Sequence, residues 1–593
     1  MARIKEFLQQ HRPVVVLVGI ILALTMIPIF EIVLVLGDSW QGIPPGFTNE
    51  SFYQARVQAI VKGHPAGGEP YFFEHRDDPP LVIFGGIWLN AIPQLAGLSL
   101  NASLLINFIL WSLLFTASAY WLFRELRTPP WLAVFGVTFL YLQGYEHIVR
   151  VVNLQTVYPF FFLFYVALLR FIREQNRKNT ALLALATGAT FYIYAYLWQA
   201  VVITLGILFV YAFLQRNWKL LKATLFSLSI GSAIGLPVPL YALWLSHASP
   251  YFWESAGRLG LVNTHLPMAE VVYSGGWVAV VVVFLSVLCV RSRTFREDKE
   301  FVLLGSFLAI GGLGLWIMQG SNLITGKLLE TGQHLRLFIF NWLVFATISI
   351  GVFLWRRYTQ ISGRLRVFSV TMVAVLLAVN AYSLHSYFFI QLFPSNIDRA
   401  AWLTDELSAK PLAWLENEEK SPVVVWGEPN DSLTSNLPVF TKHYTLYVWA
   451  GMMELMPEDE IRERYLVSQY FNNPTAADLK SPMATRAYLG RHDAYHAAKT
   501  IERKIKICRI LFFWDTNKDC GAPPTSQSLL GDAFFTDLGN RFQNDIKPNI
   551  KVYLKKYHVS YILKDKILDP HYEPEVLGAR LVYSDDRYEI WRL

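Results

Sequence analysis

Charge is scarce in this chain. Asp, Glu, Lys and Arg make up 16% of its 593 residues, against roughly a quarter in an ordinary soluble protein. The deficit is local: residues 14 to 391 read as apolar blocks separated by short polar loops, while 392–593 have the mixture of a soluble domain. Repeated runs of roughly twenty apolar residues match the thickness of a bilayer and exclude an all-soluble fold. Cysteine is nearly missing as well, with three in the chain. Cys289 falls in an apolar run as a small filler, whereas Cys508 and Cys520 can pair if the soluble part faces an oxidising compartment. The C-terminal part lacks a glycine-rich phosphate loop, a nucleophile elbow and clustered metal ligands.

What is present orients the chain. The opening MARIKEFLQQHRP is basic and runs into an apolar stretch without a small-residue cleavage site, so it reads as a retained first span. Apolar runs at 14–36, 102–123, 131–144, 156–170, 180–195, 199–215, 223–245, 273–290, 301–318, 338–355 and 367–391 predict about eleven transmembrane helices. The stretch 81–98 is ambiguous. Keeping it on the outer face puts about twenty Lys and Arg, from Arg3 to Arg366, in inside loops against about seven outside. That asymmetry predicts a cytoplasmic N-terminus, a large first outer loop over 37–101 and an extracytoplasmic C-terminal domain. The net charge of +7 therefore belongs to membrane orientation, and no nucleic acid is expected as a partner.

Ionisable side chains are nearly missing from the apolar runs, Glu31 and His385 excepted. Such residues usually mark a transport path through the membrane. The polar residues gather instead in outer loops: Asp38, Glu50, Arg56, His64, Glu69, Glu74, His75, Asp77 and Asp78 in the first, then Glu146, His147 and Arg150, then Glu254, Arg258 and His265, then Lys327, Glu330, His334 and Arg336. This supplies an interfacial site rather than an ion-coupled pathway. Tyr192, Tyr194 and Tyr196 ahead of Trp198 read as an interfacial aromatic belt.

The first loop reads TNESFYQARVQAIVKGHP over 48–65 and GEPYFFEHRDDPPL over 68–81. It resembles the first loop of GT-C glycosyltransferases, the superfamily of protein O-mannosyltransferases and of the aminoarabinose transferase acting on lipid A. Asn49 and Glu50 stand for that family's acidic pair, Tyr53 and Arg56 follow at its spacing, and Asp78-Pro79-Pro80-Leu81 stands for its His-Pro-Pro element. Two positions depart from the pattern. Asn49 replaces the family's catalytic Asp, and Asp78 replaces His. Since Asn cannot act as a base, either Glu50 or a neighbouring carboxylate such as Asp77 or Asp78 takes that role, or the site only binds. The resemblance implies a polytopic α-helical, GT-C-like membrane domain (1–391) and an extracytoplasmic α/β domain (392–593). It further implies transfer of a sugar from a polyprenyl-phosphate donor, with inversion, to a glycan, lipid or protein acceptor. A non-catalytic relative or a transporter of lipid-linked sugars is the alternative.

Such a transfer needs one carboxylate to take the acceptor proton and cations, or a divalent metal, to hold the leaving phosphate. Arg258, Lys327 and Arg336 are the expected phosphate ligands, with membrane anchoring as their other reading. Asn49, Tyr53, Arg56, His64 and His334 are expected to meet substrate. In the soluble part, 421–429 reads as a buried strand, 457–471 as a helix, 546–565 as helix then strand, and 579–593 as two strands around Asp585-Asp586.

Overall fold

The computed structural model describes residues 11–40, 50–144, 148–329, 331–361, 363–392, 396–429, 431–489, 493–515 and 517–593. Asn49, Glu146, His147 and Glu330 lie outside them, as does the side chain of His385.

The chain is a polytopic bundle of apolar helices followed by a smaller α/β unit. Helices of the first part are α1 (Arg12–Leu36), α2 (Ser51–Val61), α3 (Gly85–Leu95), α4 (Leu100–Glu125), α5 (Pro130–Gln143), α6 (Thr156–Arg173), α7 (Arg177–Ile193), α8 (Ala195–Leu214), α9 (Trp218–Gly235), α10 (Pro237–Ala248), α11 (Phe252–Leu259), α12 (Gly275–Arg291), α13 (Lys299–Gln319), α14 (Thr331–Arg356) and α15 (Gly363–Leu392). Among the described residues eight helices are long and apolar enough to cross a membrane, and α9 with α10 forms a bent ninth, angled by 47° where Pro237 interrupts the helix. Of the other expected spans, 131–144 is the 14-residue α5 and 180–195 the 17-residue α7. The ambiguous stretch 81–98 contains only the 11-residue α3, about 17 Å long and too short to span.

Local chemistry sets the boundaries. Ser99 caps α4 by accepting from the Ala102 N–H at 3.3 Å, and Asp298 caps α13 through the Glu300 and Phe301 N–H groups. Helices α7 and α9 meet through glycine: a Cβ on Gly188 would lie 2.6 Å from Ile234, and one on Gly231 2.7 Å from Thr187. Small residues at such crossings let backbones approach in lipid.

The two ends of the bundle differ. At one end Arg170 and Arg173 pair with Glu125, Arg127 and Arg356 with Glu300, and Arg357 with Asp298. These are the basic loops that the charge rule groups together. At the other end sit the first loop and the C-terminal unit.

That unit holds β3 (Val424–Trp426), β4 (Tyr444–Thr445), β5 (Val559–Asp565), β6 (Arg580–Ser584) and β7 (Tyr588–Arg592) in one sheet of order β4-β3-β5-β7-β6. β3 runs parallel to both β4 and β5, and β7 antiparallel to β5 and β6. Helices α16 (Asn396–Glu418), α17 (Ser432–Phe440), α18 (Glu458–Ser468), α19 (Pro482–Leu489), α20 (Asp493–Leu511), α21 (Ser526–Arg541) and α22 (Ile550–Lys556) complete it. The predicted strands and helices of the soluble part are all found at their expected places. A two-stranded ribbon, β1 (Leu261–Asn263) with β2 (Lys327–Leu329), ties two loops of the bundle together.

The first loop belongs to both parts. Ala55, Tyr71 and Phe72 are buried in the same apolar cluster as Trp426, Tyr447 and Ile562. The Thr445 N–H donates to the Tyr71 carbonyl at 2.7 Å, so the loop backbone continues past the edge of the sheet.

Candidate functional site

A cavity of about 760 Å³ opens where bundle, first loop and C-terminal unit meet. This lies within the range of small-molecule sites, about 300–1,000 Å³. Its walls combine aromatic rings (Phe52, Tyr53, Phe84, Tyr194, Tyr196, Trp449, Tyr495) with cationic side chains (Arg56, Arg150, Arg258, Arg486, Lys499) and one carboxylate, Glu502. Glu502 is itself bridged by Lys499 and Lys506 at 2.8 and 2.7 Å. The wall is therefore net positive.

An irregular turn borders the cavity through Asn153. Residues Val151–Gln155 form a π-type turn ahead of α6, a backbone form that often marks functional positions. Buried amides hold it there: Gln155 donates to the Phe108 carbonyl at 2.9 Å, and Asn90 to the Thr156 hydroxyl at 3.0 Å. The turn presents the Val152 N–H to Oε2 of Glu50 at 3.0 Å and the Asn153 amide to the Tyr53 hydroxyl at 3.0 Å. Arg150, just before the turn, places Nε 3.4 Å from Oε1 of Glu50 and its guanidinium 5.9 Å from the Tyr53 ring centre.

Glu50 is buried at the start of α2 and does not itself line the cavity; Arg150, Tyr53 and Asn153, which surround it, do. Burial pushes its carboxyl up to about 7, against the opposing pull of the Arg150 charge and the Val152 and Asn153 N–H groups.

A second wall comes from a helix break. Between α7 and α8 the backbone is extended at Tyr194 (φ −160°, ψ 125°), which turns Tyr194 and Tyr196 toward His334 on α14. Tyr194 Oη and His334 Nδ1 are 2.6 Å apart, and the Tyr196 ring stacks on His334 at 4.4 Å and 10°. These tyrosines thus line the cavity instead of serving only as a membrane belt. Tyr192 turns away, its hydroxyl donating to the Ile234 carbonyl.

The remaining expected residues divide. Arg56 reaches the cavity wall, but its charge is given to Glu454, to which Nε donates at 2.8 Å, with Glu69 close by. Burial raises both Glu454 and Glu69 above the usual carboxylate range, Glu69 well above it. Arg258 also borders the cavity and is almost wholly buried. It donates to the carbonyls of Met452 (2.9 Å) and Met456 (2.5 Å) and to Ser255 Oγ (2.8 Å), while its Nη1 has no hydrogen-bond partner among the described residues. Burial lowers it to about 10, with Glu458 and Glu254 acting in the other direction. Lys327 lies over the Trp253 ring at 4.1 Å on the ribbon, and neither it nor Arg336 lines the cavity. The three expected phosphate ligands therefore do not converge.

Asp77 and Asp78 lie apart from the cavity too. His64 Nδ1 meets Asp77 at 3.0 Å. His75 bridges Asp78 (2.7 Å) and Glu460 of α18 (3.1 Å), linking first loop to sheet unit. Among the described residues no three His, Cys, Asp or Glu side chains gather as a metal-binding group.

Beside the cavity runs an apolar groove of about 340 Å³ between α3 and α10, walled by Ile87, Trp88, Tyr241 and Trp244. It shares Val82, Ile83 and Phe84 with the cavity.

No protein-family model and no curated protein matches the chain. Among solved structures it is similar to the archaeal oligosaccharyltransferase AglB from Archaeoglobus fulgidus in complex with an inhibitory peptide and a dolichol-phosphate, at 10% identity over 95% of this chain and 70% of that one, with a TM-score of 0.44. It is also similar to the Archaeoglobus fulgidus oligosaccharyltransferase in the apo form, at 10% identity over 93% of this chain and 70% of that one, with a TM-score of 0.42.

Proposed function

We propose that this protein is a membrane glycosyltransferase that moves a sugar from a polyprenyl-phosphate carrier to an extracytoplasmic acceptor in this cavity, with inversion. One observation carries the reading: a cation-rich, aromatic cavity and an apolar groove share the wall Val82-Ile83-Phe84. A lipid-linked sugar has those two halves, a hydrocarbon chain and an anionic sugar headgroup. Arg150 is the donor-phosphate ligand, with Arg258 Nη1 as a second contact; charge-assisted bonds to phosphate are strong in a water-poor site. The stacked Tyr196 and His334 offer a flat face for a sugar ring.

In the transfer the acceptor heteroatom attacks the anomeric carbon, the bond from that carbon to the phosphate oxygen breaks, and phosphate leaves on the carrier. Glu50 takes the acceptor proton. A general base works best with a pKa near the operating pH, which suits a carboxyl held at about 7. Glu50 sits behind Arg150, so the donor phosphate must draw that guanidinium away before Glu50 faces the acceptor. The orientation with the cavity outside is supported by the basic far end of the bundle and by the Cys508–Cys520 disulfide.

The burial of Glu50 also favours a second reading, a binding-only relative, because no first-loop carboxylate lines the cavity. Transfer assays with short-chain polyprenyl-phosphate sugars separate the two. Turnover that depends on Glu50 supports the enzyme; donor binding without turnover across sugars and acceptors supports the binder.

A further inference from the structure

The last two residues of α20 and the three that follow it form an apolar run, Ile510-Leu511-Phe512-Phe513-Trp514, none of them buried. Phe513 is 78%, Ile510 70% and Trp514 69% exposed. A soluble unit seldom leaves such a continuous apolar patch to water. The segment is closed at its base by the Cys508–Cys520 bridge, which ties together the chain on either side of the tip.

Two further observations identify what covers it. The first is position. Arg503, two turns before the tip, lies within electrostatic reach of Glu270, and Glu270 is the first residue of the span Glu270–Arg291. Next to it Val272 and Tyr273 are exposed apolar residues at the head of that span. The helix that carries the tip therefore passes beside the place where the chain enters the membrane, two turns before the tip itself. The second is charge: Lys504, Arg509 and Lys518 flank the apolar tip in sequence, against Asp515 and Asp519, while Lys506 is paired with Glu502. Apolar and aromatic residues flanked by basic ones are what an interfacial anchor on an acidic lipid surface needs.

We propose that the disulfide-closed tip 510–514 seats in the bilayer interface as an anchor on anionic phospholipid. Its neighbours give the anchor a purpose. Tyr495, Lys499 and Glu502 before the tip and Thr525 after it line the cavity. Seating the tip fixes that wall of the cavity relative to the membrane from which a lipid-borne ligand arrives. The anchor itself rests on exposure, position and charge, not on the catalytic reading, and its test does not use turnover.

The test places the photoreactive phenylalanine analogue p-benzoylphenylalanine at position 513 of the full chain, which keeps the aromatic, apolar character of the tip. The control carries it at exposed Val552 on α22. Both are irradiated in nanodiscs of phosphatidylcholine alone or with added phosphatidylglycerol, and adducts are read by mass spectrometry. Phospholipid adducts at 513 severalfold above those at 552, raised by phosphatidylglycerol, are expected. Yields at 513 no higher than at 552, or adducts only to the chain itself, would overturn the anchor. Lipid adducts indifferent to phosphatidylglycerol would overturn the role given to the basic residues.

Discussion

Arg150 Nε stands 3.4 Å from Glu50 Oε1 beside the cavity, across a hundred residues of sequence. The pair couples the cation proposed to hold the donor to the carboxylate proposed to take the proton. Each half can be tested by itself.

Removing the base should leave binding and remove chemistry. Glu50→Gln keeps the shape, so donor affinity should survive while turnover falls by about 10²–10⁴-fold, the usual contribution of a placed general base. The base acts deprotonated, so wild-type turnover should rise with pH through about 7, and that limb should vanish in the variant. Unchanged turnover would remove Glu50 from the mechanism, and Asp77 and Asp78 would be the next carboxylates to replace.

Removing the cation should weaken binding. Arg150→Gln should weaken donor binding by roughly 10–100-fold, the worth of one hydrogen bond to a charged group, whereas Lys327→Gln should have little effect because Lys327 lies off the cavity. Titration calorimetry with a short-chain polyprenyl phosphate in detergent measures both. Equal losses in the two variants would mean that the donor lies along the ribbon instead.

Arg56 is expected to matter for stability. Arg56→Met leaves Glu454 and Glu69 buried without their cation, at a cost of about 3–5 kcal/mol for a broken buried pair. Both carboxyls are raised by burial, so acid neutralises them and the loss should shrink as pH falls. Thermal unfolding at two pH values reads this, and a pH-independent loss would count against the pair.

The His75 bridge predicts a pH window. Burial disfavours the charged ring, but the hydrogen bond and charge of Glu460, then those of Asp78, outweigh it and raise His75. Its contribution is complete below the ordinary histidine value of about 6.5 and fades as pH rises through the folded value. Glu460 is depressed to about 2 despite burial, chiefly through its hydrogen bond to His75. Its share is present above the ordinary glutamate value of about 4.3 and fades as pH falls toward 2. The melting temperature should therefore fall as pH rises above the ordinary histidine value of about 6.5, and less so in His75→Gln. Identical slopes would dismiss the bridge.

Topology is checked with reporters. A fusion after Leu593 should behave as extracytoplasmic and one after Arg127 as cytoplasmic. A cytoplasmic C-terminus would reverse the face assigned to the cavity.

Much of the fold was legible because its signals are local. Apolar runs marked the long helices, charge asymmetry grouped the basic loops, and alternation marked β5, β6 and β7. The site was less so because its contacts are distant. Arg56 sits at the spacing expected of a substrate ligand, yet its partner Glu454 lies 398 residues on. Arg150 stood out as one of three polar residues ahead of an apolar run, but nothing nearby tied it to Glu50. The break at Tyr194 falls in FYIYAYLW, with no proline or glycine to announce it. Arg258 and Lys327 look alike in sequence; only burial separates a cation fastened to backbone carbonyls from one resting on Trp253.

The sharing of one apolar cluster by the first loop and the sheet sets a timetable for synthesis. Tyr71 leaves the ribosome 374 residues before Thr445, to which it is bonded. At about 5–20 residues per second that gap lasts roughly 20–75 seconds. During this interval Ala55, Tyr71 and Phe72 are without the sheet residues that later help to bury them, and the newborn loop leaves that apolar surface uncovered.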